Sequence, residues 1–218
     1  IINYANIIKA FEAIFVNAFS TKSILGGFLG MGVKKAIRYG VARGLFSNEA
    51  GMGSTPHAHA IAKVKNPVEQ GNVALITVFI DTFIVLTLTA LVILTSNIGD
   101  GTLTGISLTQ RAFEAALGYS GTIFIAVALF FFAFSTIIGW YFFGEANIKY
   151  LFGKKAINIY RILVMVAIFI GSTQKVELVW ELADLFNGLM VIPNLIALIV
   201  LYKLVVNTSS EYDKLHNL

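Results

Sequence analysis

The sequence predicts an all-α integral membrane protein organised around one broken helix. Three observations predict it. Of 218 residues, 57% are hydrophobic and 13% charged, and the mean hydropathy is +0.79; soluble domains carry about 25% charged residues. Residues 72–96 and 121–143 are long enough to cross about 30 Å of hydrocarbon, the first holding only the charge of Asp81 and the second none. Between Gly40 and His57 lies a stretch too polar and too glycine-rich to be an ordinary span.

That stretch holds Gly40, Gly44, Gly51, Gly53 and Pro56, beside Arg43, Asn48 and Glu49. Each glycine weakens a helix and the proline removes a donor, so the helix is expected to break over 44–55. At membrane depth, non-helical backbone is tolerated only where it is buried in protein or lines a wet cavity. In transporters such breaks hold substrate and ions. A flexible loop between two helices is the plain alternative, and the apolar flanks oppose it. Asn48 donates and accepts, so it suits an amino acid's carboxylate or amine, or the broken backbone itself. Glu49 suits an ammonium group or a pairing with Arg43.

Residues 1–32 read as an amphipathic linker helix, with Ile7, Ile8, Phe11, Ile14, Phe15, Ala18 and Phe19 at helical spacing. Ser20-Thr-Lys-Ser interrupts it before Gly26, Gly27 and Gly30, and Lys34, Lys35 and Arg38 form a basic face leading into the break. Thr55 and Pro56 look like an N-cap and first helical position of a half-helix, whose positive end attracts an anion. Residues 107–117 are a short loop helix. Residues 156–173 make a short span, and 183–204 make the last, with Asn187, Gly188 and Pro193 inside it. Asp184 and Glu145, near span ends, read as headgroup-level residues. With 36–62 crossing as a broken helix, 33–205 forms a transmembrane domain of about five spans, followed by a polar C-terminal tail over 206–218. Lys63, Lys65, Lys149, Lys154, Lys155 and Lys203 then share one side, which places the C-terminus in the cytoplasm. Lys34, Lys35 and Arg38 dissent. The chain begins without Met inside an amphipathic pattern, and reads as the C-terminal part of a longer protein.

Absence of cysteine removes disulfides and thiolate chemistry. No phosphate loop, nucleophile elbow or paired-histidine zinc helix is present, and no organic cofactor or enzymatic activity is expected. The net charge of +4 reads as lipid-headgroup anchoring in a bilayer, not nucleic-acid binding. His57 and His59 point to different helix faces and make a poor metal pair. Asp81, costly inside a span, is either functional or held by a partner such as Arg43. Thr136 and Trp140 share one helix face, with Ala133 a turn earlier. A hydroxyl with a freed carbonyl suits a small hard cation, and Trp140 suits the wall of an apolar pocket. The plain alternative is that Ser135 and Thr136 bond carbonyls of their own helix while Trp140 packs or anchors.

Gly44-Leu-Phe-Ser-Asn-Glu-Ala-Gly-Met-Gly-Ser-Thr-Pro56 resembles the most recognisable motif of the alanine or glycine:cation symporter family. Val78-Phe-Ile-Asp-Thr, Phe132-Ala-Phe-Ser-Thr-Ile-Ile-Gly-Trp-Tyr, Tyr160-Arg-Ile-Leu and Leu182-Ala-Asp-Leu-Phe-Asn-Gly-Leu-Met-Val-Ile-Pro-Asn resemble family blocks in the right order. The resemblance covers essentially the whole chain and matches the C-terminal half of a family member. It implies the second half of a leucine-transporter-like inverted-repeat bundle, partnered by the first-half repeat of the same protein. It further implies symport of alanine or glycine with sodium, by alternating access, in the plasma membrane. By that resemblance Ala133, Ser135 and Thr136 hold sodium. Phe46, Ser47, Asn48 and Gly51, with Thr136 and Trp140, line the substrate pocket. The sequence departs from the family at His57, where a smaller apolar residue is common. The rival reading is a channel-like or structural membrane subunit with a re-entrant gate.

Overall fold

The computed structural model describes residues 3–19, 30–96, 98 and 103–216, and all the regular structure among them is helical. The expected interruption at Ser20–Ser23, with Gly26 and Gly27, lies outside the described residues, as do the side chains of Lys34 and Lys35.

Helix α1 spans Ile7–Phe19 and α2 spans Gly30–Asn48. Helix α2 runs unbroken through Gly40 and Gly44, so the interruption is narrower than 44–55. Two glycines inside a helix cost about 1 kcal/mol each, which weakens it without ending it. What ends it is Glu49, whose φ of 58° is left-handed. A 3₁₀ turn over Ala50–Met52 follows, closed by Gly53 at φ 77°. Helix α3 then spans only Thr55–His59, with Ser54 at the N-cap and Pro56 in the first turn. Thr55 is therefore inside the helix rather than its cap. At five residues, α3 is also too short for the dipole expected of a half-helix.

Helix α4, Pro67–Thr95, is long and apolar enough to cross a membrane, as are α6, Tyr119–Phe152, and α8, Val176–His216. Helix α7, Ala156–Ser172, is apolar but shorter. By length and composition alone, three of the five expected spans qualify among the described residues; the broken segment is too polar and α7 too short to be counted with them. A π-helical turn over Ile80–Val85 interrupts α4 and contains Asp81. Helix α8 continues through the polar residues expected as a tail and ends at His216. Pro193 lies inside it and leaves the Leu189 carbonyl without its helical donor.

The chain forms two compact units, Ile1–Val41 with Ile80–Thr136, and Ala42–Phe79 with Ile137–Leu218. In the first, α1 and the loop helix α5, Gly105–Leu117, pack on the end of α4. Asn6 Nδ2 donates to the Thr95 carbonyl at 3.5 Å. The corner from α5 into α6 is tight: Gly118 takes φ 64°, and a Cβ on Gly121 would strike the Phe113 carbonyl. Phe113 and Phe124 stack with centroids 5.6 Å apart. On the outer face of α5, Arg111 donates to Glu114 at 2.8 Å. That hydrogen bond first, and the carboxylate charge second, raise the guanidinium pKa above its ordinary value. In the second unit, Tyr141 donates to Glu145, and Arg161 Nε donates to the Tyr141 hydroxyl at 2.9 Å. Glu145 is thus part of an α6–α7 contact.

Candidate functional site

The second unit is built around the break. Met52 and Ser54 are its two fully buried residues among those described, at 2% and 1% exposure. A backbone that leaves the helix there must find partners for its polar groups, and side chains supply them. Thr55 Oγ1 donates to the Asn48 carbonyl at 3.1 Å, and Ser54 Oγ donates to the Glu49 carbonyl at 3.3 Å. Asn194 Nδ2, from α8, donates to the Ala50 carbonyl at 3.3 Å and to the Gly51 carbonyl at 3.0 Å. Four consecutive carbonyls are therefore each met by a side-chain donor. Asn48 also turns its Oδ1 onto the Ala50 amide at 3.1 Å, which is the backbone-fixing role left open for it.

Helix α8 lays one face along this segment. Arg43 Nη1 donates to Asp184 Oδ1 at 2.6 Å, and its guanidinium lies 3.8 Å from the centroid of the Trp180 ring. Phe46 meets the same ring edge-to-face at 5.7 Å. Trp180, Asp184, Asn187 and Asn194 recur at spacings of four, three and seven residues, and so share a helix face. Asn187 Nδ2 is buried and meets no acceptor among the described residues. None of these four was a predicted site residue; polar residues at helical spacing inside a span were the signal. Asp184, read from the sequence as lying near a span end, is the partner of Arg43.

On the other flank, α3 is held by its histidines. Asn147 Nδ2, on α6, lies 2.9 Å from His57 Nε2 and donates to the Phe143 carbonyl at 2.8 Å. That contact makes Nε2 the acceptor and leaves Nδ1–H to donate to the Ser54 carbonyl at 3.2 Å. Phe143 packs between His57, at 5.6 Å, and Trp140, at 6.0 Å. His59 Nδ1 lies 2.6 Å from Gln70 Nε2 of α4, on the rim of an open cleft of about 520 Å³. The two histidines thus serve different helices, and among the described residues no group of three or more metal-ligating side chains gathers.

A model described as the sodium:alanine symporter family matches residues 1–217. The chain belongs to that family. It is 42% identical over 217 residues to a sodium/alanine symporter of Methanococcus maripaludis, an alignment covering 98% of this chain and 47% of that relative. It is 44% identical over 200 residues to a probable sodium/glutamine symporter of Bacillus subtilis, covering 91% of the chain and 41% of the relative. An amino-acid carrier protein of Bacillus subtilis is 42% identical over 202 residues, with 91% and 42% covered. The chain spans about half the length of the curated relatives it matches.

Of the residues expected to bind substrate in this family member, Phe46, Ser47 and Asn48 end α2 and Gly51 lies in the 3₁₀ turn. A Cβ on Gly51 would meet the end of the Leu45 side chain, which would have to move aside. Trp140 is half-buried on α6 in the same unit and reaches His57 through Phe143. Ala133, Ser135 and Thr136 belong to the first unit, on an exposed stretch of α6. Ser135 Oγ donates back to the Phe132 carbonyl at 3.0 Å, as the plain alternative anticipates. The Thr136 hydroxyl makes no hydrogen bond among the described residues.

Proposed function

We propose that this chain is one half of a sodium-coupled symporter that imports a small neutral amino acid, alanine or glycine, across the plasma membrane. The break at 49–54 carries the reading. It is an interruption between α2 and α3 whose carbonyls are met by the side chains of Ser54, Thr55 and Asn194, in a chain of the sodium:alanine symporter family. In this reading the first-half repeat of the same protein completes the bundle, and one repeat rocks against the other around a midplane site. Phe46, Ser47, Asn48 and Gly51 face the amino acid, and Trp140 completes its pocket and limits side-chain size. Sodium, the co-transported ion, is taken by the Ala133 carbonyl and the hydroxyls of Ser135 and Thr136; uncharged hard oxygens of this kind suit a small cation. Coupling follows if sodium binds the outward-facing, substrate-ready state more tightly than the inward-facing one. The basic loops and the C-terminus lie in the cytoplasm.

The test is uptake of labelled alanine by the full-length protein in proteoliposomes, under an inward sodium gradient and against a potassium control. Glycine and glutamine serve as competitors. Saturable uptake that requires sodium is the expected result. Equal uptake in potassium would remove sodium as the coupling ion, and ion conductance without saturable uptake would replace the symporter with a channel.

A further inference from the structure

We propose that Asn194 is a positioning residue for transport: its amide, clamped on the carbonyls of Ala50 and Gly51, sets the backbone shape that the break offers to the transported amino acid. The inference rests on the symport reading and adds a residue from a different helix.

Its geometry is specific. Both acceptors that Nδ2 meets are carbonyl oxygens, at 3.3 and 3.0 Å, so the amide must present its nitrogen there and not its oxygen. Nδ2 has two hydrogens, and both carbonyls lie within their reach. The Oδ1 end lies beside Gly53. A Cβ built on Gly53 would lie 2.8 Å from Asn194 Oδ1 and 3.1 Å from its Cγ, so the glycine leaves the space that the amide fills. Gly53 also holds φ 77°, where any side chain is strained. One side chain of α8 therefore bonds the turn at Ala50 and Gly51 and occupies the space that a side chain on Gly53 would need.

The consequence is mechanical. Ala50 and Gly51 sit between Asn48 and the buried Ser54, and their carbonyl directions determine where the intervening amides point. The clamp is delivered by the residue after Pro193, where α8 lacks one internal hydrogen bond. A bend of α8 at that place withdraws the amide, frees the Gly51 carbonyl and leaves that of Ala50 to the Gly53 amide alone, at 3.4 Å. Movement of α8 is thereby translated into a change of liganding groups at the break, without any residue of α8 touching the cargo.

Asn194→Asp keeps the shape of the side chain and replaces the donor with an acceptor facing two carbonyls. The full-length protein carrying it should show a tenfold or greater rise in the alanine concentration for half-maximal uptake, with the maximal rate within threefold of the parent. Hydrogen exchange of the 49–54 amides, read by mass spectrometry in detergent, should accelerate, while peptides from α4 and α7 stay unchanged. Gly53→Ala supplies an independent route to displace the same amide. Its penalty on half-maximal uptake should fall at least threefold when placed on Asn194→Ala, which vacates the space. Unchanged exchange at 49–54 in Asn194→Asp would overturn the clamp itself. Faster exchange with unchanged half-maximal uptake would reduce Asn194 to a structural tie, and additive penalties in the Gly53 and Asn194 pair would overturn the coupling. Absence of sodium-dependent uptake by the parent would instead sink the symport reading, leaving the exchange result to judge the clamp alone.

Discussion

Arg43 and Asp184 join the helix that precedes the break to α8, Nη1 to Oδ1, across 2.6 Å. The pair is partly sheltered, with side-chain exposures of 34% for Arg43 and 17% for Asp184. Removing one member of a buried pair costs about 3–5 kcal/mol, and exposure of Arg43 lowers that figure, since exposed pairs contribute about 0–1 kcal/mol. Asp184→Asn is expected to destabilise the full-length protein by about 1–2 kcal/mol, between those limits. Thermal melting in detergent measures it. The double variant Arg43→Gln with Asp184→Asn should recover part of the loss, because no charge is then left alone. A single and a double variant that melt alike would show the pair to be inert.

Glu49 is the one non-glycine residue with positive φ among those described, at 58°. Left-handed backbone costs a residue with a Cβ about 1–2 kcal/mol. Glu49→Gly and Glu49→Ala remove the same carboxylate and differ only in the Cβ. The glycine variant should therefore melt higher, by about 1 kcal/mol in stability. Equal melting temperatures would mean that the turn relaxes out of the left-handed region.

Thr136 has its hydroxyl unspent, whereas Ser135 has turned its own onto the Phe132 carbonyl. If Thr136 contributes an oxygen to sodium, Thr136→Val should raise the sodium concentration for half-maximal uptake about tenfold, equivalent to about 1.4 kcal/mol of binding. Ser135→Ala should change it less than threefold. Sodium titrations of alanine uptake in proteoliposomes separate the two, and the reverse order would exchange their roles.

Gly121 is buried where α6 turns away from α5, and a Cβ there would strike the Phe113 carbonyl. Backbone cannot swing aside as a flexible side chain can. Gly121→Ala should cost about 1–3 kcal/mol of stability, the usual range for overpacking. A melting temperature equal to the parent's would mean that the corner is looser than its contacts indicate.

How much of this was legible in the sequence differs from element to element. The spans of α4, α6 and α8 follow from apolar runs, and their positions were readable because hydropathy is a local property. The break was readable as a region, from Asn48, Glu49, Gly51, Gly53 and Pro56, but not in extent. Gly40 and Gly44 were counted against the helix, and α2 keeps both, since glycine lowers helix stability without forbidding it. The functional reading rested on local motifs around the break and around Thr136, and the family match over residues 1–217 bears out the family they indicated.

By itself, then, the sequence determined the class, the helical spans, the family and the place where the helix fails, all of which follow from which residues stand next to one another. Only the tertiary structure decided the partners. Arg43 had Glu49 and Asp81 as candidates and lies on Asp184, 141 positions away. Asn194 had no assigned part and holds the carbonyls of Ala50 and Gly51. Hydrogen bonds and ion pairs form between groups that packing brings within about 3 Å, and that proximity, between residues far apart in the chain, is not written in any local pattern.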